Sequence, residues 1–107
     1  MPTRSAVIVK DEEGYRGIYC HYDGSHSGVG KTLVDNFNSK QLALAIVALG
    51  DCSYIHECKT IDEIYAYHRN SDQELVIATG CAWQEVAEQI GHDGYIYVWE
   101  NGKWNFY

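Results

Sequence analysis

The chain has 107 residues, of which 46% are hydrophobic and only one is proline. This length and composition exclude an intrinsically disordered chain and predict a single domain, residues 1–107, with a modest core. Fifteen acidic residues against eight basic ones give a formal net charge of −7. Such a charge disfavours direct contact with nucleic acids and favours a basic partner surface.

The longest apolar run, residues 42–49, is too short to cross a bilayer, and no charged-then-apolar leader begins the chain. We therefore expect a cytoplasmic protein with no membrane contact. The four cysteines are Cys20, Cys52, Cys58 and Cys81. In a cytoplasm they should stay reduced, and we expect them to pack as small apolar residues.

The first predicted elements form a hairpin. Residues 5–10 and 15–22 are rich in strand-forming residues, and Glu13-Gly14 between them favours a tight turn. Because side chains alternate along a strand, we expect His21 and Asp23 on the same side at the end of the second strand.

Two helices are predicted next. Residues 29–38 have the apolar spacing of a short helix, and Ser39 favours the start of a second helix that runs to Leu49 and ends at Gly50. The second helix is apolar on nearly all sides, so we expect it to be substantially buried.

The middle of the chain has weaker signals. Residues 51–60 show no clear period. Residues 64–68 and 74–78 are predicted as short strands joined by the polar turn 69–72, although the first of them could instead belong to a helix that begins at Thr60.

The C-terminal part predicts a helix followed by a hairpin. Residues 83–90 have the apolar spacing of an amphipathic helix closed by Gly91. Residues 95–99 and 103–107 flank Asn101-Gly102, a strong hairpin signal. Hairpins at both ends predict an α+β fold, with an antiparallel sheet and two or three helices packed on one face.

Aromatic residues are concentrated in this C-terminal hairpin. Tyr95, Tyr97 and Trp99 occupy alternate positions of its first strand and therefore share one face. That face either packs under the helices or presents aromatic rings to a protein partner. We expect core packing for part of it.

The segment from Tyr19 to Leu33 looks at first like a phosphate-binding loop. Gly30-Lys31-Thr32 matches the end of a Walker-type motif, but Ser25 stands where the motif requires its first glycine. A chain of this length also has little room for the parallel sheet in which such loops occur. We therefore expect a glycine-containing turn before a helix, and no ATP or GTP hydrolysis.

Histidines and cysteines suggest a metal site, but their spacing does not favour one. Zinc sites usually contain short paired spacings, and the nearest pattern here is Cys52-x3-His56-x-Cys58. We expect this segment to be a loop with a buried cysteine and a solvated histidine. No metal or other cofactor is therefore predicted.

A cysteine nucleophile activated by His21 or His68 is a second chemical hypothesis. Cys20 and His21 are neighbours on a strand and point to opposite faces, which makes a poor pair. Cys81 precedes a predicted helix, whose N-terminal dipole would lower a thiol pKa. A packed cysteine without chemistry is the alternative at both positions.

A more promising group is formed by His21, Asp23, His68 and Arg69, at the ends of strand-like segments. If the segments around Tyr19 and Tyr67 are neighbours, these groups converge beside the glycine loop, with its Gly24, Gly28, Gly30 and Thr32. The resulting cleft would bind an anion, a nucleotide-like ligand or a polar group of a partner. The alternative is a hydrogen-bond network in which Asp23 caps the loop and orients His21.

Several short motifs together resemble a known family. They are Tyr19-Cys20-His21-Tyr22-Asp23-Gly24, Gly28-Val29-Gly30 with Thr32-Leu33, Ala48-Leu49-Gly50-Asp51, Ala66-Tyr67-His68-Arg69, Tyr95-Ile96-Tyr97 and Gly102-Lys103-Trp104. In this order they resemble small uncharacterised proteins carried by bacteriophages and prophages. The family pattern has a proline in the glycine loop and an acidic residue after the His-Arg pair, where this chain has His26-Ser27 and Asn70.

The resemblance implies a phage origin and an accessory role in host takeover or evasion of bacterial immunity. We therefore expect a non-catalytic protein that binds and inhibits an antiviral defence protein in the host cytoplasm. One alternative is a sponge that sequesters a nucleotide-derived immune signal in the predicted cleft. Another is a small hydrolase with His21 or His68 as its base. Self-association into a homodimer is compatible with each of these.

Overall fold

The computed structural model describes residues 3–91 and 94–107, which include a seven-stranded sheet and four α-helices. The strands are β1 (Ser5–Asp11), β2 (Gly14–Cys20), β3 (Cys52–Tyr54), β4 (Tyr65–Ala66), β5 (Ala78–Gly80), β6 (Tyr95–Glu100) and β7 (Lys103–Phe106). The helices are α1 (Lys31–Asn36), α2 (Lys40–Ala48), α3 (Tyr67–Ser71) and α4 (Trp83–Ile90), with a π-helical turn at His26–Gly30 and a 3₁₀ turn at Ile61–Glu63. The predicted α+β class is confirmed.

None of the helices in the described part of the chain combines the length and apolar character that crossing a bilayer requires.

The two predicted hairpins lie side by side in one sheet. Its strand order is β4-β3-β2-β1-β6-β7, and β5 pairs with β2 outside this path. The β1–β2 and β6–β7 pairs are antiparallel, as predicted, whereas β1–β6 and β2–β3 are parallel. The expectation of an antiparallel sheet is therefore wrong for these two pairs, whose long connections allow a crossover.

The turn between β6 and β7 has the geometry that its sequence predicts. Asn101 and Gly102 have φ angles of 58° and 78°. Positive φ at both central residues is what a type I′ turn requires, and Asn-Gly is the pair that best tolerates it. The C-terminal hairpin thus follows from local backbone preference.

Helices cover both faces of the sheet, because its central strand is apolar on both sides. Val7 and Val9 of β1 lie in the core beneath α1 and α2, and Ile8 lies in the core beneath α4. The expectation of helices on one face holds for α1 and α2 but is wrong for α4. The continuous apolar run of β1 is typical of a strand that is buried on both faces.

The middle of the chain departs furthest from the sequence prediction. The predicted strand 64–68 is reduced to β4 and continues into α3, and the predicted strand 74–78 is replaced by β5 at Ala78–Gly80. β3 forms in residues 51–60, where no period was visible. Both β3 and β5 are short and pair with β2, so distant backbone partners decide where they form.

Asp51 bonds to the part of β2 that lies between its pairing with β3 and its pairing with β5. β3 pairs with β2 at Cys20 and β5 pairs with it at residues 15–17, and the N–H of Tyr19 lies between them. The Asp51 carboxylate accepts a hydrogen bond from this N–H at 2.9 Å. Burial raises the pKa of the Asp51 carboxyl, against the opposing effect of the Tyr19 hydrogen bond.

Replacing Asp51 should change how stability depends on pH. A carboxyl whose pKa is raised by folding holds its proton more tightly in the folded state, so its stability contribution falls as pH rises from its ordinary pKa of 3.8 through the higher folded value. Asp51→Asn keeps an oxygen acceptor for Tyr19 and removes this titration. We expect urea unfolding between about pH 4 and about pH 7 to show a smaller loss of stability than in the wild type.

Asp51→Ala is the control for the hydrogen bond, and it should be less stable than Asp51→Asn throughout this range because the Tyr19 N–H loses its partner. A pH profile of Asp51→Asn that is identical to the wild-type profile would contradict the assignment.

Candidate functional site

The segment between β2 and α1 is attached to one end of the sheet by main-chain hydrogen bonds. The Gly24 N–H donates to the Thr3 carbonyl at 2.8 Å, and the Gly24 carbonyl accepts from the Tyr97 hydroxyl at 2.6 Å. The Val29 N–H donates to the Asp23 carbonyl at 2.8 Å. The predicted site residues Asp23 and Gly24 therefore anchor the loop through their backbones.

Gly28 and Gly30 allow the loop to approach its neighbours closely. A Cβ atom on Gly28 would lie only 2.1 Å from the Asp23 carbonyl oxygen, which no larger residue can accommodate without a shift of the backbone. A Cβ atom on Gly30 would lie 3.1 Å from the Tyr97 ring and 3.2 Å from the Phe106 ring. Both glycines serve close packing of the loop.

Lys31 and Thr32 have structural contacts in place of phosphate contacts. The buried Thr32 hydroxyl donates to the Gly28 carbonyl at 3.1 Å and accepts from the Glu57 N–H at 3.0 Å. The Lys31 ammonium pairs with the Asp35 carboxylate at 2.5 Å on the exposed side of α1. The Thr32 hydroxyl, which a Walker-type loop would offer to magnesium, is therefore engaged within the protein.

His21 is oriented by the strand that precedes it. Its Nδ1 lies 2.5 Å from the Tyr19 hydroxyl oxygen, and its ring meets the Tyr22 ring edge-on at a centroid distance of 4.5 Å. β2 ends at Cys20, and Asp23 has a φ angle of 56°. The alternation that predicted a shared side for His21 and Asp23 therefore does not extend to Asp23.

Arg69 and His68 lie on α3 and bond to their own part of the chain. The Arg69 guanidinium donates to three carbonyls of the preceding turn, those of Ile61, Asp62 and Ile64, at 3.2, 3.3 and 2.5 Å. His68 Nδ1 lies 2.8 Å from the Gln73 carbonyl oxygen. Arg69 thus supplies side-chain donors to carbonyls of the 3₁₀ turn and the residue after it, of which that of Ile61 also accepts from the Ile64 N–H.

Asp51 connects the two segments on which the predicted cleft depends. Its carboxylate accepts from the Tyr19 N–H at 2.9 Å, and its carbonyl accepts from the Tyr67 N–H at 3.2 Å. The segments around Tyr19 and Tyr67 are therefore neighbours, as the cleft hypothesis requires. Across residues 3–91 and 94–107, however, no hydrogen bond joins His21 or the glycine loop to His68 or Arg69.

A group of aromatic rings lies beside the glycine loop, and we call it the aromatic surface: His26, Tyr95 and Phe106. The His26 ring centroid lies 5.1 Å from that of Tyr95 and 5.2 Å from that of Phe106. Tyr95 is 36% exposed and Phe106 is 41% exposed, whereas Tyr97 beneath them is fully buried. The expectation that part of the face shared by Tyr95, Tyr97 and Trp99 packs in the core is confirmed.

His26 and Phe106 were not among the predicted site residues. Phe106 follows Trp104 by two positions on β7, so strand alternation alone places both on one face. The position of His26 has no such local signal, because it depends on how the glycine loop folds back over β6. Its contact with the aromatic residues is decided by tertiary structure.

Three of the four cysteines are buried, and Cys81 is exposed. Cys20 and Cys52 are direct partners in the β2–β3 pair. A hydrogen bond with Cys20, together with burial, raises the pKa of Cys52, and burial raises the pKa of Cys58 to about 11. Cys52 and Cys58 therefore remain neutral thiols at neutral pH, which fits packing roles.

In the part of the chain that the structure describes, no cluster of three or more histidine, cysteine or acidic side chains could hold a metal ion.

Comparisons of the chain with models of protein families, with curated proteins and with solved structures find no match. The features on which a function can depend are therefore the fold and surfaces of the chain itself. They define an α+β protein with a loop-supported aromatic surface at one end of its sheet.

Substitution of Gly28 tests whether the loop is held by close packing. We expect Gly28→Ala to lower the free energy of unfolding by about 2 kcal/mol, because the added methyl group overlaps the Asp23 carbonyl and forces the backbone to move. Urea unfolding followed by tryptophan fluorescence would measure the change. Ser27→Ala, at the exposed neighbouring position, is the matched control and should leave stability almost unchanged. Equal stability of the two variants would contradict the packing role.

Proposed function

We propose that this chain is a non-catalytic accessory protein of a bacteriophage that binds and inhibits a host protein that defends the bacterium against viruses. The observation that carries the proposal is the aromatic surface, in which the His26 ring contacts the rings of both Tyr95 and Phe106 and all three residues are exposed. Exposed aromatic clusters of this kind supply the dominant contacts in many protein interfaces.

The rings of this surface are held in place before a partner arrives. Gly30 brings the loop against Tyr97 and Phe106, and the Tyr97 hydroxyl bonds to Gly24. The Tyr97 ring also meets the Phe106 ring edge-on at a centroid distance of 4.9 Å. A pre-organised surface loses little conformational freedom on binding, which leaves more of the contact energy for affinity.

The kind of partner follows from charge and from the motif resemblance. A formal net charge of −7 favours encounter with a basic protein surface and disfavours binding to nucleic acid. The phage origin and the defence target rest on the resemblance of the Tyr19–Gly24 and Ala66–Arg69 motifs to phage proteins. The host cytoplasm is the compartment in which such an inhibitor would act.

Truncation of one ring should abolish capture of the partner. We expect Phe106→Ser to weaken binding about thirtyfold, the loss typical of an interface hot spot. Pull-down from lysate of a bacterial host at moderate salt would compare wild type, Phe106→Ser and Tyr54→Ser. Tyr54 is the matched control, because it is 40% exposed, close to the 41% of Phe106, and lies on β3.

Wild type and Tyr54→Ser should retain one stoichiometric host protein, and Phe106→Ser should lose it. Circular dichroism must first show that both variants fold. Recovery of the same protein by all three chains would place the interface elsewhere, and repeated failure of folded wild type to retain any protein would count against the proposed function.

A sponge for a nucleotide-derived signal is a second candidate, and the environment of His21 favours it. Tyr19 fixes Nδ1 of His21, and within residues 3–91 and 94–107 no hydrogen bond occupies the other ring nitrogen. The adjoining Tyr22 is 46% exposed and offers a ring on which a base can stack. Arg69 is engaged by backbone carbonyls, so the proposed ligand contacts are centred on His21 and Tyr22.

Ligand-induced stabilisation distinguishes this candidate from the first. Thermal unfolding with a panel of cyclic and ADP-ribose-type nucleotides should show stabilisation that is lost in His21→Ala and retained in His68→Ala. No stabilisation by any member, or equal stabilisation of both variants, would rule out the sponge. Product formation in the same samples would instead identify a hydrolase, with His21 or His68 as its base.

A further inference from the structure

The outer side of β7 is an unpaired edge of the sheet. β7 is the last strand in the order β4-β3-β2-β1-β6-β7, and no strand within residues 3–91 and 94–107 pairs with its outer side. An edge of this kind offers backbone donors and acceptors to another chain.

The register of β7 identifies which backbone groups face outwards. Ile96 and Tyr107 exchange both hydrogen bonds, at 3.3 and 2.8 Å. Because bonded and non-bonded pairs alternate in an antiparallel ladder, Asn105 also bonds towards β6, whereas the N–H and C=O groups of Trp104 and Phe106 point away from the sheet. The outward backbone groups of Trp104 and Phe106, which are separated by one residue, thus form a short template for pairing with another strand.

Apart from its length of only four residues, β7 lacks several of the features that usually protect an edge strand. Natural edges are commonly blunted by proline, by a bulge or by inward-pointing charge. β7 contains no proline, its register with β6 is continuous from Tyr97↔Phe106 to Glu100↔Lys103, and its one charged residue, Lys103, lies at the end next to the turn. The edge is therefore regular enough to accept another strand.

The side chains beside this edge specify what an added strand would carry. Trp104 packs on Trp99 and Phe106 packs on Tyr97, so both lie on the face that bears the aromatic surface. A residue paired opposite Phe106 would project its side chain onto the same face. An apolar side chain at that position would cover the exposed parts of Phe106 and His26.

We propose that β7 binds an extended segment of the partner protein as an additional antiparallel strand, with an apolar side chain opposite Phe106. This proposal rests on the proposed function and deepens it, since backbone pairing at the edge would complement side-chain contacts on the aromatic surface. Strand addition of this kind obtains affinity from main-chain hydrogen bonds and specificity from alternate side chains.

A partner segment fits this edge better than a second copy of the chain. Pairing of two copies through β7 would bring together two chains that each carry a formal charge of −7. The strand has only four residues, so a self-paired edge would bury little area compared with the roughly 1,200 Å² of a stable interface. An extended segment can instead follow the edge and continue over the aromatic surface.

Methylation of one backbone nitrogen can test the pairing without altering any side chain. Ligation of residues 1–80 to a synthetic peptide that begins at the native Cys81 allows N-methyl-phenylalanine to be placed at position 106, which removes the outward N–H. The unmodified ligated chain is the control. Hydrogen exchange in the unmodified chain should be fast at Trp104 and Phe106 and slow at Asn105 and Tyr107.

The probe is the tightest binder selected from a displayed library of short linear peptides against the full chain. We expect it to protect the Trp104 and Phe106 amides from exchange, and N-methylation at position 106 to weaken it about tenfold, because the peptide loses a main-chain hydrogen bond.

Three outcomes would overturn strand addition: no selected binder, a binder that leaves these amides unprotected, or equal binding by the methylated chain. Protection of both amides in the free chain together with a dimeric mass would identify a second copy as the occupant and would also overturn it. Capture of a host protein that depends on Phe106 but tolerates N-methylation would leave the proposed function intact and reject only the pairing mode.

Discussion

Burial of β1 on both faces is the constraint on which the rest of the structure depends. Ala6 and Ile8 need cover on one side, and Val7 and Val9 need it on the other. α4 therefore packs on the face opposite α1 and α2. The parallel β1–β6 pair then places the C-terminal hairpin beside the N-terminal one. This arrangement also leaves β7 as an edge of the sheet.

The aromatic surface is a consequence of this arrangement and of the glycine loop together. β6 presents Tyr97 towards the loop, and its hydroxyl holds Gly24 while its ring packs beneath Gly30. Because Gly28 accepts the close approach of Asp23, the loop can turn back and bring His26 against Tyr95 and Phe106. The residues that resemble a phosphate loop therefore support the aromatic surface. These loop residues contribute by packing, whereas the aromatic side chains beside them are exposed to solvent.

Two of the segments that contain predicted site residues are neighbours in the fold. Asp51 joins the backbones of Tyr19 and Tyr67, so the expected proximity of these segments is present. Arg69 is predicted as a ligand contact because it lies at the end of a strand-like segment, and in the structure its guanidinium bonds to the carbonyls of Ile61, Asp62 and Ile64. Sequence could not reveal those acceptors, because residues 61–64 have no strong local pattern that predicts such a turn.

The sequence by itself determined the elements whose signals are local: the hairpin turn at Asn101-Gly102, the Ser39 cap of α2 and the Gly91 end of α4. Backbone preference and short-range hydrogen bonds are sufficient for these. Tertiary structure alone decided β3, β5, the parallel strand pairs and the position of His26. Each of these depends on partners far away in the chain, and short segments adopt whichever conformation completes the backbone hydrogen bonds and burial that those partners offer.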